Sequence, residues 1–367
     1  MNFICKKEEI CEAINNVSKA ASVKSTIAAL EGIKISLKDG LLEFTGYDLE
    51  IGIKTKIGVK SADSGECVLN SRLFSEIVRR MPSEEISVEI DENLNVKLCG
   101  NVTEYNVSAI PSDEYPDLPD FDREKSIVIS QSVLKNMINQ TNYAVSQKDD
   151  KPILTGELFH IENGCFNMVA IDGFRLAVRN EPLQADEAYR FVVPSRALLE
   201  VSRLLKDDEN AKCTIHTNKK HIIFEISGYL VFSRLLEGEF HNYKASIPEG
   251  CKTEVIVKTR DMIECLERCS LLINEKNKAP VRCKFENGEI SISCKTAIGQ
   301  IQDEIYADMN GDMVEIGFNN KFILDSLKAS ESDKLRIQMN GASRPIKLLP
   351  LQGESFTFLL MPVQLKR

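Results

Sequence analysis

One pattern of charge occurs three times along this chain at almost constant spacing. It consists of a base, an acid four residues later and a base seven residues later, at Arg72-Glu76-Arg79, Arg196-Glu200-Arg203 and Lys321-Asp325-Lys328, which begin 124 and 125 residues apart. Positions i, i+4 and i+7 share one face of an α-helix. A solenoid repeats every 20–50 residues or so, which is far shorter. The chain is therefore interpreted as one domain copied three times.

Each third also begins with an amphipathic segment of helical period. Helices are predicted over about residues 7–20, 131–145 and 259–272, and the charged stretch forms a second helix in each third. Ser130 and Thr259 stand where an N-cap would accept hydrogen bonds from the first helical turn. The sequence therefore predicts two helices per third.

Alternating apolar and polar segments lie between the two helices. Their turns carry Asp39-Gly40, Asn163-Gly164 and Asn287-Gly288, one pair at the same place in every third. Asp-Gly and Asn-Gly between alternating segments are strong hairpin signals. We therefore predict an α+β fold of three repeated domains, each with two helices packed on antiparallel sheet.

Two stretches rich in proline or acidic residues separate the thirds, near residues 121–125 and 248–253. A length of 367 residues suits two or three domains. We predict domains at 1–123, 124–250 and 251–367.

Composition limits the compartment and the chemistry. The eleven cysteines form no CxxC pair, and the start MNFICKKEEI lacks the basic-then-apolar pattern of a secretory signal. No apolar stretch approaches the roughly 20 residues that a membrane-spanning helix needs. We expect a reduced cytoplasmic protein without disulfides, metal or cofactor, whose cysteines fill core positions.

Three similar domains in line could form a multivalent binding array, a pseudo-symmetric enzyme or part of a closed ring. The charged stripes could also be ordinary solvated helix faces. An enzyme would need a catalytic constellation, and the sequence has no P-loop, no GxGxxG and no HExxH. Asp172 could pass for a catalytic carboxylate, but Asp before Gly favours a turn. We predict no catalytic residues.

Particular motifs resemble a known family. They are VAIDGFRLAV at Val169–Val178 and LLMPVQL at Leu359–Leu365, with further matches in LEFTGYDLE at Leu42–Glu50 and EIGFN at Glu315–Asn319. In order and spacing these resemble the bacterial DNA polymerase III beta subunit, the replicative sliding clamp. The resemblance covers the whole chain.

The resemblance implies a ring around double-stranded DNA. Members of this family form a head-to-tail homodimer of six domains, and they act as processivity factors rather than as enzymes. Tyr105, Leu271 and Leu272 occupy the positions of the dimer interface. A clamp must contact phosphates without reading bases, so that it can slide. The residues expected to face DNA are Lys24, Arg72, Arg79, Arg80, Lys148, Arg196, Arg203, Lys321 and Lys328, of which Lys24 and Lys148 rest on the resemblance alone.

The resemblance also implies a cleft for short peptide motifs that end in apolar residues. The expected partners are the DNA polymerase III alpha subunit, the clamp loader and other proteins with such motifs. The corresponding positions are Leu154, Ile171, Gly173, Phe174, Arg175, Leu176, Asn319, Phe322, Ile346, Met361, Pro362 and Val363. These residues could instead belong only to the core of the sheet.

The chain departs from the family pattern near this cleft. The loop from Phe240 to Ser246 lacks the expected proline, arginine and valine, position 174 is Phe rather than the commoner His, and Gln364 replaces an arginine. The preferred peptide is therefore left open. A scaffold that binds proteins without encircling DNA is the alternative function.

Overall fold

The computed structural model describes residues 1–61, 63–119, 126–148, 150–274 and 276–365. In this part of the chain every third contains two α-helices. Their bounds are α1 Lys7–Val17, α2 Ser71–Arg80, α3 Gln131–Thr141, α4 Ser195–Leu204, α5 Thr259–Ser270 and α6 Asn320–Ala329. The predicted helices are confirmed, but the opening helix of each third ends earlier than predicted. The helices α1 and α3 pass into the 3₁₀ turns Ser18–Ala20 and Asn142–Ala144, and α5 ends at Ser270.

Strands follow the helices in the same order in every third. The first third contains β1 Asn2–Lys6, β2 Gly32–Lys38, β3 Leu41–Tyr47, β4 Ile51–Gly58, β5 Gly65–Asn70, β6 Glu85–Ile90, β7 Asn95–Gly100 and β8 Thr103–Ser108. The second contains β9 Ile127–Ser130, β10 Gly156–Glu162, β11 Cys165–Ile171, β12 Arg175–Pro182, β13 Tyr189–Pro194, β14 Lys212–Thr217, β15 His221–Ile226 and β16 Tyr229–Arg234. The third contains β17 Thr253–Lys258, β18 Val281–Glu286, β19 Glu289–Thr296, β20 Gly299–Asn310, β21 Val314–Phe318, β22 Lys334–Met339, β23 Ile346–Pro350 and β24 Phe356–Leu360. Each third is thus strand, helix and three strands, repeated once.

The three predicted hairpins are confirmed. Both residues of Asp39-Gly40, Asn163-Gly164 and Asn287-Gly288 have positive φ, between 51° and 83°. Two consecutive left-handed residues make the type I′ turn, whose twist suits two antiparallel strands. Asp and Asn tolerate that conformation better than other residues with a side chain, and glycine adopts it freely.

The prediction that Thr259 caps α5 is wrong. The cap position is Lys258, which makes no side-chain capping bond, and Thr259 is the first helical residue. Ser130 ends β9, and its hydroxyl donates to the carbonyl of Glu209.

Two of the sheets combine strands from different thirds of the sequence. One compact unit contains Met1–Lys135 and Leu199–Leu235, with a four-stranded sheet ordered β1-β6-β7-β8 and an eight-stranded sheet that joins two thirds where β4 pairs with β16. The other contains Asn136–Leu198 and the chain from Leu236 onward, with a twelve-stranded sheet that joins two thirds where β12 pairs with β24. All of these pairings are antiparallel, as predicted.

Seven of the eleven cysteines are buried, as expected for residues that fill the core, and all eleven are free thiols. Burial raises the pKa of the Cys5 and Cys67 thiols to about 12, so both are protonated and unreactive at neutral pH. Cys251 is an exception to the expectation, because it is exposed.

A carboxylic acid lies in the core of the second unit. Glu157 is fully buried on β10, and burial raises its pKa to about 8. Asn142 Nδ2 donates to one carboxyl oxygen at 2.6 Å, and the Thr141 hydroxyl contacts the other. The same hydroxyl lies 2.8 Å from the Met137 carbonyl. A hydroxyl has only one proton to donate. The Thr141 hydroxyl can therefore donate to the Met137 carbonyl and also bond to Glu157 only when the Glu157 carboxyl is protonated and donates to the hydroxyl oxygen.

We expect Glu157 to make stability fall as pH rises through neutrality. The unfolded chain loses this proton near its ordinary pKa of 4.5 and the folded chain only near 8, so between those values folding retains a proton. Replacing Glu157 with Gln preserves both hydrogen bonds and removes the titration. Relative to E157Q, the wild type should lose about 2 kcal/mol of unfolding free energy between pH 6 and 7.5. Urea denaturation of both proteins measures this, and parallel pH profiles would contradict it.

Candidate functional site

The second helix of each third places its bases on the solvent side. On α2, Arg72 and Arg79 are exposed, while Phe74, Ile77 and Val78 are buried against the sheet. The helix begins where Asn70 Oδ1 accepts from the Leu73 amide at 3.0 Å. Arg80 extends the same basic end.

The acids on the first two stripes pair with the bases beside them. Glu76 binds Arg79 at 2.6 Å and Arg80 at 3.1 Å, and Glu200 binds Arg203 at 2.5 Å. The hydrogen bond from Arg79 lowers the pKa of Glu76, so the carboxylate is charged at neutral pH. These acids therefore reduce the positive charge of their helix faces.

The third stripe has a different arrangement, although its sequence pattern is the same. Asp325 is partly buried and pairs with Arg175 at 2.7 Å rather than with a lysine of its stripe. Lys328 pairs instead with Glu267 of α5, also at 2.7 Å. Within the described residues Arg72 and Lys321 form no ion pair. In α6 the acid of the stripe therefore does not neutralise the bases of its own helix face.

The other bases that are predicted to contact phosphate are also exposed to solvent. Lys24 belongs to the loop between the 3₁₀ turns Ser18–Ala20 and Ala28–Glu31, and Lys148 follows the turn after α3. Arg196 and Arg203 are exposed at the two ends of α4. Every base predicted to face DNA is therefore accessible to solvent.

Several predicted cleft residues are in contact with one another. The Met361 amide donates to the Phe174 carbonyl at 2.8 Å, and the rings of Phe174 and Phe322 are 6.1 Å apart. Phe174 is 58% exposed, Met361 44% and Val363 38%. These side chains, with Gly173 and the half-buried Pro362, form an apolar surface open to solvent.

A second group lies deeper beside it. Leu154, Ile171 and Leu176 pack in one apolar cluster, in which Leu176 is buried and the other two are half-buried. Ile346 is fully buried in a different part of the core, between β22 and β24. It does not reach the surface, and the alternative that it is only sheet core holds for this residue.

Arg175 is held by two carboxylates. Its Nε donates to Asp172 at 2.9 Å and its Nη1 to Asp325 at 2.7 Å. The guanidinium carbon lies 4.5 Å from the ring centre of Phe322 and 5.3 Å from that of Tyr143. The Arg175 side chain is only 6% exposed, and it packs against the half-buried Phe322, which in turn lies beside the exposed Phe174.

Two polar residues of the region have clear local roles. Asp172 Oδ1 accepts from the amides of Phe174 and Arg175, which is the turn geometry favoured over a catalytic carboxylate. Asn319 is the N-cap of α6 and accepts from the amide of Lys321 at 3.0 Å. No group of three or more potential metal ligands occurs among the described residues.

Aromatic residues from the atypical loop form one wall of the apolar cluster, which sequence reasoning missed. Phe240 and Tyr243 are buried and pack in the same cluster as Leu154 and Leu176. The Tyr243 hydroxyl lies 3.0 Å from His160 Nδ1, and burial raises the pKa of Tyr243 to about 12. Two aromatic residues within a polar loop were the available signal.

The predicted dimer residues lie on separate elements. Tyr105 is on β8, the edge strand of the four-stranded sheet, and is 36% exposed. Leu271 directly follows α5 and is 80% exposed, and Leu272 is half-buried. In the part of the chain that the structure describes, no helix is long and apolar enough to span a membrane.

Comparison with known proteins gives consistent matches over the whole length. Models of the N-terminal, central and C-terminal domains of the DNA polymerase III beta subunit match residues 1–119, 128–242 and 244–364. The beta sliding clamp of Bacillus subtilis is 34% identical over 377 residues, which covers 99% of this chain and 100% of that protein.

Solved structures agree with this match. The DNA polymerase sliding clamp from Bacillus subtilis superposes with a TM-score of 0.95 at 33% identity, and covers 100% of both chains. The beta subunit from the DNA polymerase of Streptococcus pyogenes gives a TM-score of 0.94 at 26% identity, again over 100% of both chains.

Proposed function

The chain belongs to the DNA polymerase III beta subunit family, the bacterial sliding clamps, and from this we propose that it encircles duplex DNA as a head-to-tail homodimer. It slides along DNA and tethers the polymerase alpha subunit, the clamp loader and other proteins that carry clamp-binding motifs. It acts in the cytoplasm as a processivity factor without catalytic residues or a cofactor. The observation that supports this proposal most directly is the basic face of the second helix, which recurs in all three thirds and is exposed at the same helical positions in each.

The ion pairs on these faces are suited to sliding. Phosphate contacts hold DNA without regard to sequence, and weak contacts let the protein move. Glu76 and Glu200 partly neutralise neighbouring arginines, while Arg72 and Lys321 are available for phosphate. The DNA-facing set is Lys24, Arg72, Arg79, Arg80, Lys148, Arg196, Arg203, Lys321 and Lys328. Its attraction is therefore moderate and depends on salt.

Neutralising one base in each third should weaken DNA association. In the variant R72Q/R196Q/K321Q, we expect the logarithm of the association constant to depend less steeply on that of salt. The slope should change by up to about 0.9 for each phosphate that the variant no longer binds. Titration of a fluorescent duplex at several salt concentrations measures it.

A matched control changes the same charge elsewhere. Lys38, Lys219 and Lys252 are exposed, one in each third, and lie outside the stripes. K38Q/K219Q/K252Q should keep most of the wild-type slope. Equal slopes for the stripe variant and the wild type would remove the stripes from the DNA-facing surface.

We propose the peptide cleft around the exposed apolar surface and its deeper neighbours. Exposed Phe174, Met361 and Val363 provide contacts, and the flexible Met361 can adapt to different partners. Beside them, Leu154, Ile171 and Leu176 pack with Phe240 and Tyr243 in one apolar cluster, which would form the deeper wall of the cleft. An apolar groove with a few polar groups is how short motifs gain affinity. Arg175 and Asn319 act by positioning, and Ile346 contributes only as support from the core.

Two strand edges support the dimer proposal. In the described chain β8 pairs only with β7, and residues 299–306 of β20 pair on one side only, with β19. Unpaired edges readily add a strand from another chain. Exposed Tyr105 and Leu271, with the half-buried Leu272, lie on or near these edges and would be buried by such contact.

We also propose the domain limits 1–123, 124–250 and 251–367. The first boundary lies within residues 120–125, outside the described residues. The second falls just before β17. The stretches that the family models match, 1–119, 128–242 and 244–364, support the first limit, whereas they divide between residues 242 and 244, before the second proposed limit.

A further inference from the structure

A groove on the third repeat adjoins the proposed cleft at Val363 and the proposed subunit edge at Gln300 and Gln302. Its volume is about 870 Å³, and it opens between the β18–β20 sheet and the C-terminal segment. Three cationic side chains, Lys278, Arg282 and Lys295, line it together with neutral residues such as Gln300 and Gln302. We name it the basic groove. Such a concentration of bases is notable in a chain whose net charge is −9.

Most of this positive charge has no counter-charge nearby. Arg282 pairs with Glu315 at 2.8 Å, and both side chains are about 40% exposed. Lys278 and Lys295 are exposed and form no ion pair within the described residues. A concave surface with one sign of charge attracts an anionic ligand and concentrates the field.

The basic groove is continuous with the proposed peptide cleft. The C-terminal segment runs beside β21, where Val363 and Gly317 form an antiparallel bridge and the Val363 amide donates to the Gly317 carbonyl at 2.8 Å. Leu365 packs closely against Gly317, so the segment lies directly on the sheet. Met361, Pro362 and Val363 belong to the cleft, and Val363, Gln364 and Leu365 line the groove. A peptide that leaves the cleft along this segment enters the groove.

We propose that the basic groove binds acidic residues that flank the apolar motif of a partner peptide. This inference rests on the proposed function of the cleft. The cleft selects the apolar end of the motif, and the groove then adds affinity for partners whose neighbouring residues are Asp or Glu. Gln300 and Gln302 can donate hydrogen bonds to the same carboxylates. Partners with acidic flanks therefore compete better for the ring.

Peptides that differ only in their flanks test this. The core probe is a short fluorescent peptide that ends in Leu-Phe, and its extended forms add three Asp, three Asn or three Lys at either end. We expect the Asp form with the favourable end to bind roughly three- to tenfold tighter than the Asn form at low salt. High salt should remove this difference.

Charge reversal identifies the groove as the source. The variant K278E/K295E should lose the preference for Asp and prefer the Lys form, while its affinity for the core probe is unchanged. The control K219E/K252E makes the same change in charge outside the groove and should behave as the wild type. The mass of every variant is measured, because a change in dimer mass instead of peptide preference would assign the groove to the subunit contact.

The outcomes separate this inference from the function on which it rests. Binding of the core probe that weakens in M361A, but shows no flank preference, overturns the groove and leaves the cleft intact. A core probe that fails to bind the wild type, or binds M361A equally well, overturns the cleft itself. A flank preference that survives K278E/K295E also overturns the assignment.

Discussion

Replacing Arg175 with Ala is expected to lower the unfolding free energy by about 3–5 kcal/mol. The guanidinium is almost fully buried and binds two carboxylates, Asp172 and Asp325, at 2.9 and 2.7 Å. Removing it leaves two negative charges in a region with little access to water, and it also removes the packing beneath Phe322. Urea denaturation, compared with the wild type at the same pH and salt, measures the loss.

An exposed ion pair provides the control for this prediction. Arg282 binds Glu315 at 2.8 Å, but both side chains are well exposed. Solvent screens such pairs, so R282A should cost less than about 1 kcal/mol. Removing the acids with the base, in R175M/D172N/D325L, should recover much of the stability because no unpaired charge is left. Similar losses of unfolding free energy in R175A and R282A would show that the buried ion pairs of Arg175 contribute no more to stability than an exposed pair.

Arg175 also connects stability to the peptide cleft. Phe322 stacks on its guanidinium, and Phe174 lies beside Phe322. In R175A the two aromatic rings lose their support, so peptide affinity should fall even under conditions where the protein is folded. Near-normal binding by R175M/D172N/D325L would indicate that Arg175 acts only by positioning these rings.

Local sequence signals predicted the repeating elements well. Asp-Gly and Asn-Gly specify a type I′ turn through the conformations of two residues, so no distant contact is needed. Helix positions followed from the apolar face, as in α2, where Phe74, Ile77 and Val78 face the sheet. Short strands such as β5 and β13, directly before a helix, were missed because a few residues carry little periodicity.

Distant partners could not be predicted in the same way. Asp325 occupies the same place in its stripe as Glu76, yet it pairs with Arg175, far away in the sequence. Helical spacing indicates which residues share a face but not which strand end lies beside that face. The same limit applies to the pairing of β4 with β16 and of β12 with β24, which merges sheets of different thirds.

The cleft was predicted from resemblance, and this explains which of its residues the prediction found and which it missed. Matching motifs identified Phe174 and Met361, which the structure brings into contact. The resemblance as a whole also included Ile346, which lies in none of these motifs and is buried in the core. Where the loop departs from the family, resemblance gave no residue, and Phe240 and Tyr243 fill that wall by their size and burial.

Introducing charge at the predicted subunit contact should convert the ring to monomers. Leu271 is 80% exposed in the single chain, so L271D removes little packing within the chain and should leave its folding intact. In a dimer the same side chain would be buried, and an unpaired carboxylate there is costly. A head-to-tail dimer has two such interfaces, each expected to lose about 2 kcal/mol, so the dimer dissociation constant should rise roughly 1000-fold.

Two measurements separate a ring from a scaffold that only binds proteins. Sedimentation gives the dissociation constant, and retention on circular DNA reports encirclement, because a closed ring stays on a circle and slides off once it is cut. L271D should lose both dimer formation and retention on circular DNA. L351D, which introduces a charge at another exposed leucine far from α5 in sequence, should keep both. A monomeric wild type, or L271D that still dimerises and remains on circles, would contradict the contact. Because DNA is held by topology rather than by strong attraction, opening the ring should release it even with every basic stripe intact.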